Sequence, residues 1–176
     1  MTGTVLKLPR INLGGGLGRR ADWATPRWLF AMLDAEFHFT LDVCANHRNT
    51  KCRRYISEHQ DSLLSTWGDR DNVCWMNPPY GQKNLPLWVR KAFIESKVGH
   101  TVVCLLPSRT DASWWHEYVM KCAEVRFIRS RLAFDDGPRK SPFASVIVIF
   151  RPGARRCVMG APIISPARGT RKLEGR

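Results

Sequence analysis

The chain has 176 residues, enough for one domain that buries a real core. Hydrophobic residues make up 44% of it and charged residues 24%, a balance that excludes an intrinsically disordered protein. Lys and Arg number 28 against 15 Asp and Glu, for a net charge of +13 and a pI near 10.1. Such a field favours a polyanionic partner, nucleic acid first and an anionic membrane surface second.

No apolar run approaches the length of about 20 residues that a membrane-spanning helix needs. Six cysteines stand at positions 44, 52, 74, 104, 122 and 157 without a CxxC pair. Several lie inside apolar stretches, where a thiol behaves as a small buried hydrophobe. No leader is expected ahead of them, and a reducing cytoplasm is the expected setting. Cys44, His47 and Cys52 are close in sequence, but their spacing matches no common metal pattern, so no metal is expected.

In chain order, residues 1–22 carry a Gly14-Gly15-Gly16 run and four basic side chains with little periodicity, and read as a flexible basic arm. The glycines lack the strand and the GK[ST] ending of a phosphate-binding loop. Thr25-Pro26 then reads as a helix start, Thr as N-cap and Pro at the first helical position, with Leu29, Phe30, Leu33 and Phe37 at helical spacing. Phe39 to Ala45 reads as a short buried strand that ends in a turn. The stretch 46–62 is polar, with Tyr55-Ile56 as a brief strand. Val73 to Met76 is a second buried strand, stopped at Asn77-Pro78-Pro79-Tyr80-Gly81 because proline cannot continue a central strand.

Residues 85–97 place Leu85, Trp88, Val89, Ala92 and Phe93 on one helical face. Thr101 to Leu106 is apolar throughout, as in a parallel strand covered on both faces. A helix from Ala112 to Lys121 follows, with His116 and Trp114-Trp115 read as packing residues. Val125 to Ile128 and Phe143 to Phe150 are two further strands with no helix between them, which points to an antiparallel hairpin at the sheet edge. From Arg151 to Arg176 there are seven basic residues and one acidic residue among Pro and Gly, and 152–176 reads as a basic, disordered tail. Alternating strands and helices indicate an open α/β sheet, in which ligands bind beyond the carboxyl ends of the strands.

The segment Asn77-Pro78-Pro79-Tyr80 carries the most chemistry. An exocyclic amine on an aromatic ring is a poor nucleophile, because its lone pair is delocalised. Two acceptors aimed at its hydrogens favour the pyramidal form that develops as a methyl group arrives. Asn77 offers its side-chain oxygen and Pro78 its backbone carbonyl. The prolines stiffen the loop. Tyr80 offers a flat face for a flipped base, a contact worth about 1–3 kcal/mol that uses the ring rather than the hydroxyl. No general base is required, since the product loses its proton to solvent and placement does most of the work. Arg109, Arg131, Arg139 and Lys140 fall in loops at or near strand ends and are candidates for phosphate contacts.

NPPY after an apolar strand is the motif of amino-methyltransferases, shared by adenine-N6, cytosine-N4 and some glutamine-directed enzymes. The wider run resembles the small phage and prophage DNA N-6-adenine methyltransferases, the phage Dam family. The matching pieces are Thr25-Pro26 with Leu29-Phe30, Glu36-Phe37 through Leu41-Asp42-Val43-Cys44-Ala45, and Asn77 to Tyr80. Leu106-Pro107-Ser108-Arg109-Thr110 with Trp114, and Pro142-Phe143-Ala144-Ser145, complete them.

The resemblance implies a single α/β methyltransferase domain over 23–151, Rossmann-like, with a mostly parallel sheet, bound to S-adenosyl-L-methionine and acting on N6 of adenine in DNA in a bacterial cytoplasm. It implies Thr25 and Pro26 at the methionine end of the cofactor, and Asp42, Val43, Cys44 and Ala45 at the strand turn where the cofactor lies. Most methyltransferases have a glycine-rich turn there, and this chain has Cys44-Ala45-Asn46 instead. Asp61 is a candidate for a cofactor hydroxyl or the adenine amine, or equally a helix cap. Only about thirty residues separate the turn from Asn77, so the strands that a full methyltransferase sheet holds in that interval are short or reduced. A cytosine-N4 enzyme, a protein-glutamine enzyme and a DNA-binding relative without catalysis remain alternatives. The charge generates one expectation by itself: affinity for duplex DNA, followed by fluorescence anisotropy, should fall at least tenfold between about 50 and 200 mM salt. A flat salt response would remove the electrostatic argument for nucleic acid.

Overall fold

The computed structural model describes residues 23–81, 83–134 and 140–164. Four parallel strands are its frame: β1 (Leu41–Asp42), β2 (Val73–Met76), β3 (Thr101–Pro107) and β4 (Ala123–Arg129). A fifth strand, β5 (Ser145–Phe150), runs antiparallel between β3 and β4. The order is thus β1-β2-β3-β5-β4, and β6 (Val158–Met159) and β7 (Ile163–Ile164) each pair in parallel with β4.

The sequence pattern explains the layers. Along β3, Val102, Cys104 and Leu106 pack on one face, while Val103 and Leu105 pack on the other. A strand apolar on both sides must be covered on both sides. On one face lies α1 (Arg27–Phe37), which buries Leu29, Leu33 and Phe37 one turn apart. On the other lie α2 (Leu85–Val98) and a helical segment whose π-turn Trp115–Val119 continues as α3 (Met120–Cys122). Trp114 and Trp115 are both buried there, as their reading as packing residues anticipated.

Four local features differ from the sequence reading. Thr25 is not the helix cap: Pro26 occupies that position, and its carbonyl accepts from Leu29 and Phe30. The first strand is shorter than 39–45, although Thr40 N donates to the Val73 carbonyl and Val43 N to the Trp75 carbonyl on either side of it. The interval from there to β2 adds only one parallel bridge, Tyr55 against Asp42, so the expected reduction of the sheet is nearly complete. The β4–β5 pair is antiparallel as anticipated, but β5 lies inside the sheet rather than at its edge. All six residues of Ser-Val-Ile-Val-Ile-Phe are buried, and an edge position would have left one row of backbone groups unpaired. The fourth difference is at the end of the domain: chain order 152–164, read as tail, carries β6 and β7 and extends the sheet beyond Arg151.

One polar network fastens α1 to the sheet. Arg126 on β4 donates to both carboxylate oxygens of Glu36 at 2.6 and 2.7 Å, and its Nε donates to Glu124 at 2.5 Å. Bidentate geometry of this kind is directional as well as attractive. The Arg126 hydrogen bond holds the Glu36 carboxyl below the usual range, against some opposing burial. The Phe37 ring lies beside two guanidinium groups, 5.4 Å from that of Arg126 and 5.2 Å from that of Arg151. Among the described residues no helix is long and apolar enough to cross a membrane. Ile147, fully buried in β5 between β3 and β4, is the most direct probe of this core. Ile147→Ala should cost about 2–5 kcal/mol in urea unfolding, and a loss under about 1 kcal/mol would mean that the strand is not central.

Candidate active site

Because β1 to β4 run in one direction, their carboxyl ends meet along one edge of the sheet. Asp42, Asn77 and Arg109 all lie at or just beyond those ends. Asn77 leaves β2 at that edge, and the two prolines after it carry no N–H to continue the ladder.

The Asn77 carboxamide is held at both ends. Its Nδ2 donates to the backbone carbonyl of Trp23 at 2.6 Å and to Oγ1 of Thr25 at 3.1 Å. Its Oδ1 accepts from the Tyr80 hydroxyl at 2.7 Å. The Trp23 carbonyl can only accept, so the NH2 end must face it and the amide cannot be reversed without setting two oxygens against each other. Oδ1 keeps a second lone pair for another donor.

Tyr80 is more constrained than a free stacking platform. Its hydroxyl lies 2.7 Å from Asn77 Oδ1 and 3.1 Å from the Leu105 carbonyl, two acceptors for one proton. Burial pushes its phenol pKa well above the ordinary value, so it stays a donor. Its ring meets Phe143 at 5.5 Å and Phe134 at 6.2 Å, both nearly perpendicular. Trp23 joins the same cluster, 5.1 Å from Phe134 and 5.5 Å from Phe143. The expectation that only the ring of Tyr80 matters therefore changes: the hydroxyl is part of the Asn77 clamp.

The turn after β1 replaces a glycine-rich loop by a carboxylate-centred one. Asp42 is buried; its Oδ1 accepts from Cys44 N at 3.2 Å and its Oδ2 from Lys51 N at 3.0 Å. Burial raises the Asp42 pKa, and these two backbone donors act against that shift. Burial likewise pushes the Cys44 thiol well up, so it is an unreactive wall rather than a nucleophile.

Two clefts adjoin the Asn77–Tyr80 turn. The first, about 550 Å³, is lined by Trp23, Ala24, Thr25, Asp42, Cys44, Asn49, Lys51, Trp75, Asn77, Pro78 and Pro79. The second, about 620 Å³, is lined by Tyr80, Leu85, Pro86, Arg109, Asp111, Ala112, Ser113 and Trp114.

Of the residues singled out in the sequence, Thr25, Asp42, Cys44, Asn77, Pro78 and Pro79 share the first cleft. Tyr80 and Arg109 share the second, with Arg109 exposed at its margin. Pro26, Val43 and Ala45 are not among the lining residues; Val43 packs in the core and Ala45 is buried. Asp61 is outside both clefts and caps its own turn, with Oδ1 accepting from Leu63 N at 3.1 Å. Arg131 donates through Nη1 to the Pro142 carbonyl, and Lys140 is exposed. Arg139 lies outside the described residues. Trp23, Asn49, Lys51 and Trp75 in the first cleft, and Asp111 and Trp114 in the second, were not anticipated as site residues. Among the described residues no group of three His, Cys, Asp or Glu is placed to hold a metal.

Residues 18–162 match the family model described as DNA N-6-adenine-methyltransferase (Dam). The chain belongs to the Dam family. Relatives of this Dam-family chain include the DNA N-6-adenine-methyltransferase of Haemophilus phage HP1 (strain HP1c1), 38% identical over 117 residues, 64% of this chain and 65% of that protein. The protein of the same description from Escherichia phage T1 is 30% identical over 114 residues, 64% of this chain and 47% of its own length. The match thus spans less than two thirds of either relative. A predicted O-methyltransferase from Agrobacterium tumefaciens is similar over 67% of this chain and 57% of its own, with a TM-score of 0.41 at 19% identity.

The clamp on Asn77 has a direct consequence for stability. In this Dam-family chain Tyr80→Phe removes the only donor that Asn77 Oδ1 meets among the described residues, so the variant should lose about 1–3 kcal/mol in urea unfolding. An unchanged midpoint would mean that the hydroxyl forms no such bond in solution.

Proposed function

We propose that this chain transfers a methyl group from S-adenosyl-L-methionine to N6 of adenine in DNA. The observation that carries the reading is the clamped carboxamide of Asn77, on a rigid turn that borders two clefts at the carboxyl edge of the sheet. Family membership and the +13 charge support the substrate class.

The first cleft suits the cofactor. It combines the buried carboxylate of Asp42, each oxygen of which keeps a lone pair beyond its backbone contact, with the small side chains of Ala24 and Cys44 that allow close approach. Asp42 would take the cofactor's ammonium, Lys51 its polar end and Cys44 the flat side of its sugar or base, while Thr25 lines the same wall with its hydroxyl turned to Asn77. Pro26, Val43 and Ala45 shape the backbone of that wall. When bound, S-adenosylmethionine supplies an electrophilic sulfonium methyl group.

The chain's own residues then act by placement. A base turned out of the duplex reaches the second cleft, where the ring of Tyr80 and the half-open wall at Trp114 and Arg109 receive it. Asn77 Oδ1, through its free lone pair, and the Pro78 carbonyl accept the two amine hydrogens. These acceptors favour the pyramidal nitrogen of the transition state more than the flat ground state, which is what lowers the barrier. Tyr80, held protonated by burial, donates to Asn77 and takes no part in proton removal. The amine proton leaves to solvent after transfer. Arg131 and Lys140 are proposed phosphate contacts; Arg131 retains donors beyond the one that binds the Pro142 carbonyl. Arg139 is proposed alongside them from its sequence position alone.

The test is nucleoside analysis of DNA from cells that lack other base methylation and express the chain. N6-methyladenine is expected. N4-methylcytosine in its place would move the target to cytosine. No new methylated base, together with no calorimetric binding of S-adenosylhomocysteine, would leave a DNA-binding relative. Asn77→Ala should lower turnover by roughly 100-fold or more while S-adenosylhomocysteine affinity stays within a few-fold. Unchanged turnover would remove Asn77 from the mechanism.

A further inference from the structure

Thr25 stands in the first cleft with its hydroxyl turned toward a protein group. The residue is buried, and Oγ1 accepts from Asn77 Nδ2 at 3.1 Å, beside the Trp23 carbonyl that accepts the same NH2 group at 2.6 Å. These partners are 52 and 54 residues away in the chain, so the contact is a product of the fold rather than of a local turn.

Two acceptors on the NH2 end of a carboxamide do two things. They fix which end faces which way, and they draw electron density toward the carbonyl, because hydrogen bonds in series polarise one another. At the opposite end the Tyr80 hydroxyl holds Oδ1 in line but withdraws density from it. An oxygen that must serve both Tyr80 and a substrate amine gains from that polarisation. We infer that Thr25 is a positioning residue for Asn77: its hydroxyl, with the Trp23 carbonyl, orients and polarises the carboxamide so that Oδ1 remains a strong acceptor toward the amine that is methylated. The inference rests on the methyltransferase reading above. It moves the principal task of Thr25 from the cofactor to the acceptor that faces the substrate.

Thr25→Val keeps the β-branch and the volume and removes only the hydroxyl, while Thr25→Ser keeps the hydroxyl and removes a methyl group. In single-turnover methylation of DNA, Thr25→Val should slow transfer by about 10-fold, the effect of one lost hydrogen bond in a buried site. Its Kd for S-adenosylhomocysteine, measured by calorimetry, should stay within about 2-fold, and Thr25→Ser should recover most of the rate. In an Asn77→Ala background Thr25→Val should add no further loss, since the group it acts through is gone. Two results would overturn the inference: a rise in Kd for S-adenosylhomocysteine that matches the fall in rate, which would make Thr25 a cofactor contact, or a further full loss in the Asn77→Ala background. If wild-type protein forms N6-methyladenine and Thr25→Val is as fast, only this inference fails. If wild-type protein methylates no DNA base, the reading beneath it fails.

Discussion

The arrangement depends on the carboxamide of Asn77 being tied to the start of α1. Asn77 stands at the exit of β2, and the groups that hold its nitrogen, Trp23 and Thr25, precede the helix on one face of the sheet. A single side chain therefore joins a strand end to the segment that leads into α1, and it lines the cleft beside Asp42. With that tie in place Trp23 and Thr25 cannot move away without leaving the half-buried amide of Asn77 unsatisfied, a costly local defect.

The rest of the molecule maintains the tie. α1 must sit at a defined height on the sheet for Thr25 to reach Asn77, and three independent restraints hold it there. Leu29, Leu33 and Phe37 are buried in one cluster with residues of the sheet, Glu36 accepts a bidentate pair from Arg126, and the Phe37 ring lies beside two guanidinium groups. Beneath the site, Trp75 on β2 meets Phe30 of the helix and Phe39 of the connection nearly edge to face or tilted, at 5.6 and 5.4 Å. The site is thus a rigid surface set by the core, which suits chemistry done by placement.

The two sides of the Asn77–Tyr80 turn differ in character. Toward β1 the walls are small and polar, and the Asp42 carboxylate organises the turn through backbone donors where a glycine-rich loop would use its bare backbone. Toward α2 and the π-turn the walls are aromatic and charged, with Tyr80, Trp114, Arg109 and Asp111. On the proposed reading the first side would take the cofactor and the second the flipped base. The aromatic cluster of Trp23, Tyr80, Phe134 and Phe143 lies behind the turn and carries its rigidity into the sheet.

What the amino-acid sequence determined by itself is what short stretches encode. The strand Val73–Met76 followed by two prolines had to stop where it does, the residues Leu29, Leu33 and Phe37 had to form one helical face, and an all-apolar Thr101–Pro107 had to be covered on both sides. NPPY is legible for the same reason: its acceptors and its stiffness are neighbours in the chain. Tertiary structure decided everything that joins distant segments. Thr25 read as a cap because local rules see only the helix after it; the amide that claims its hydroxyl is 52 residues away. Tyr80 read as a ring because nothing near it in sequence shows that its hydroxyl meets Leu105. Strand β5 read as an edge because its neighbour in sequence is β4, whereas its register with β3 depends on how two faces of the sheet are covered at once. Hydrogen bonds and strand pairs between remote residues leave no periodic trace in the chain, and only the folded sheet brings them within bonding distance.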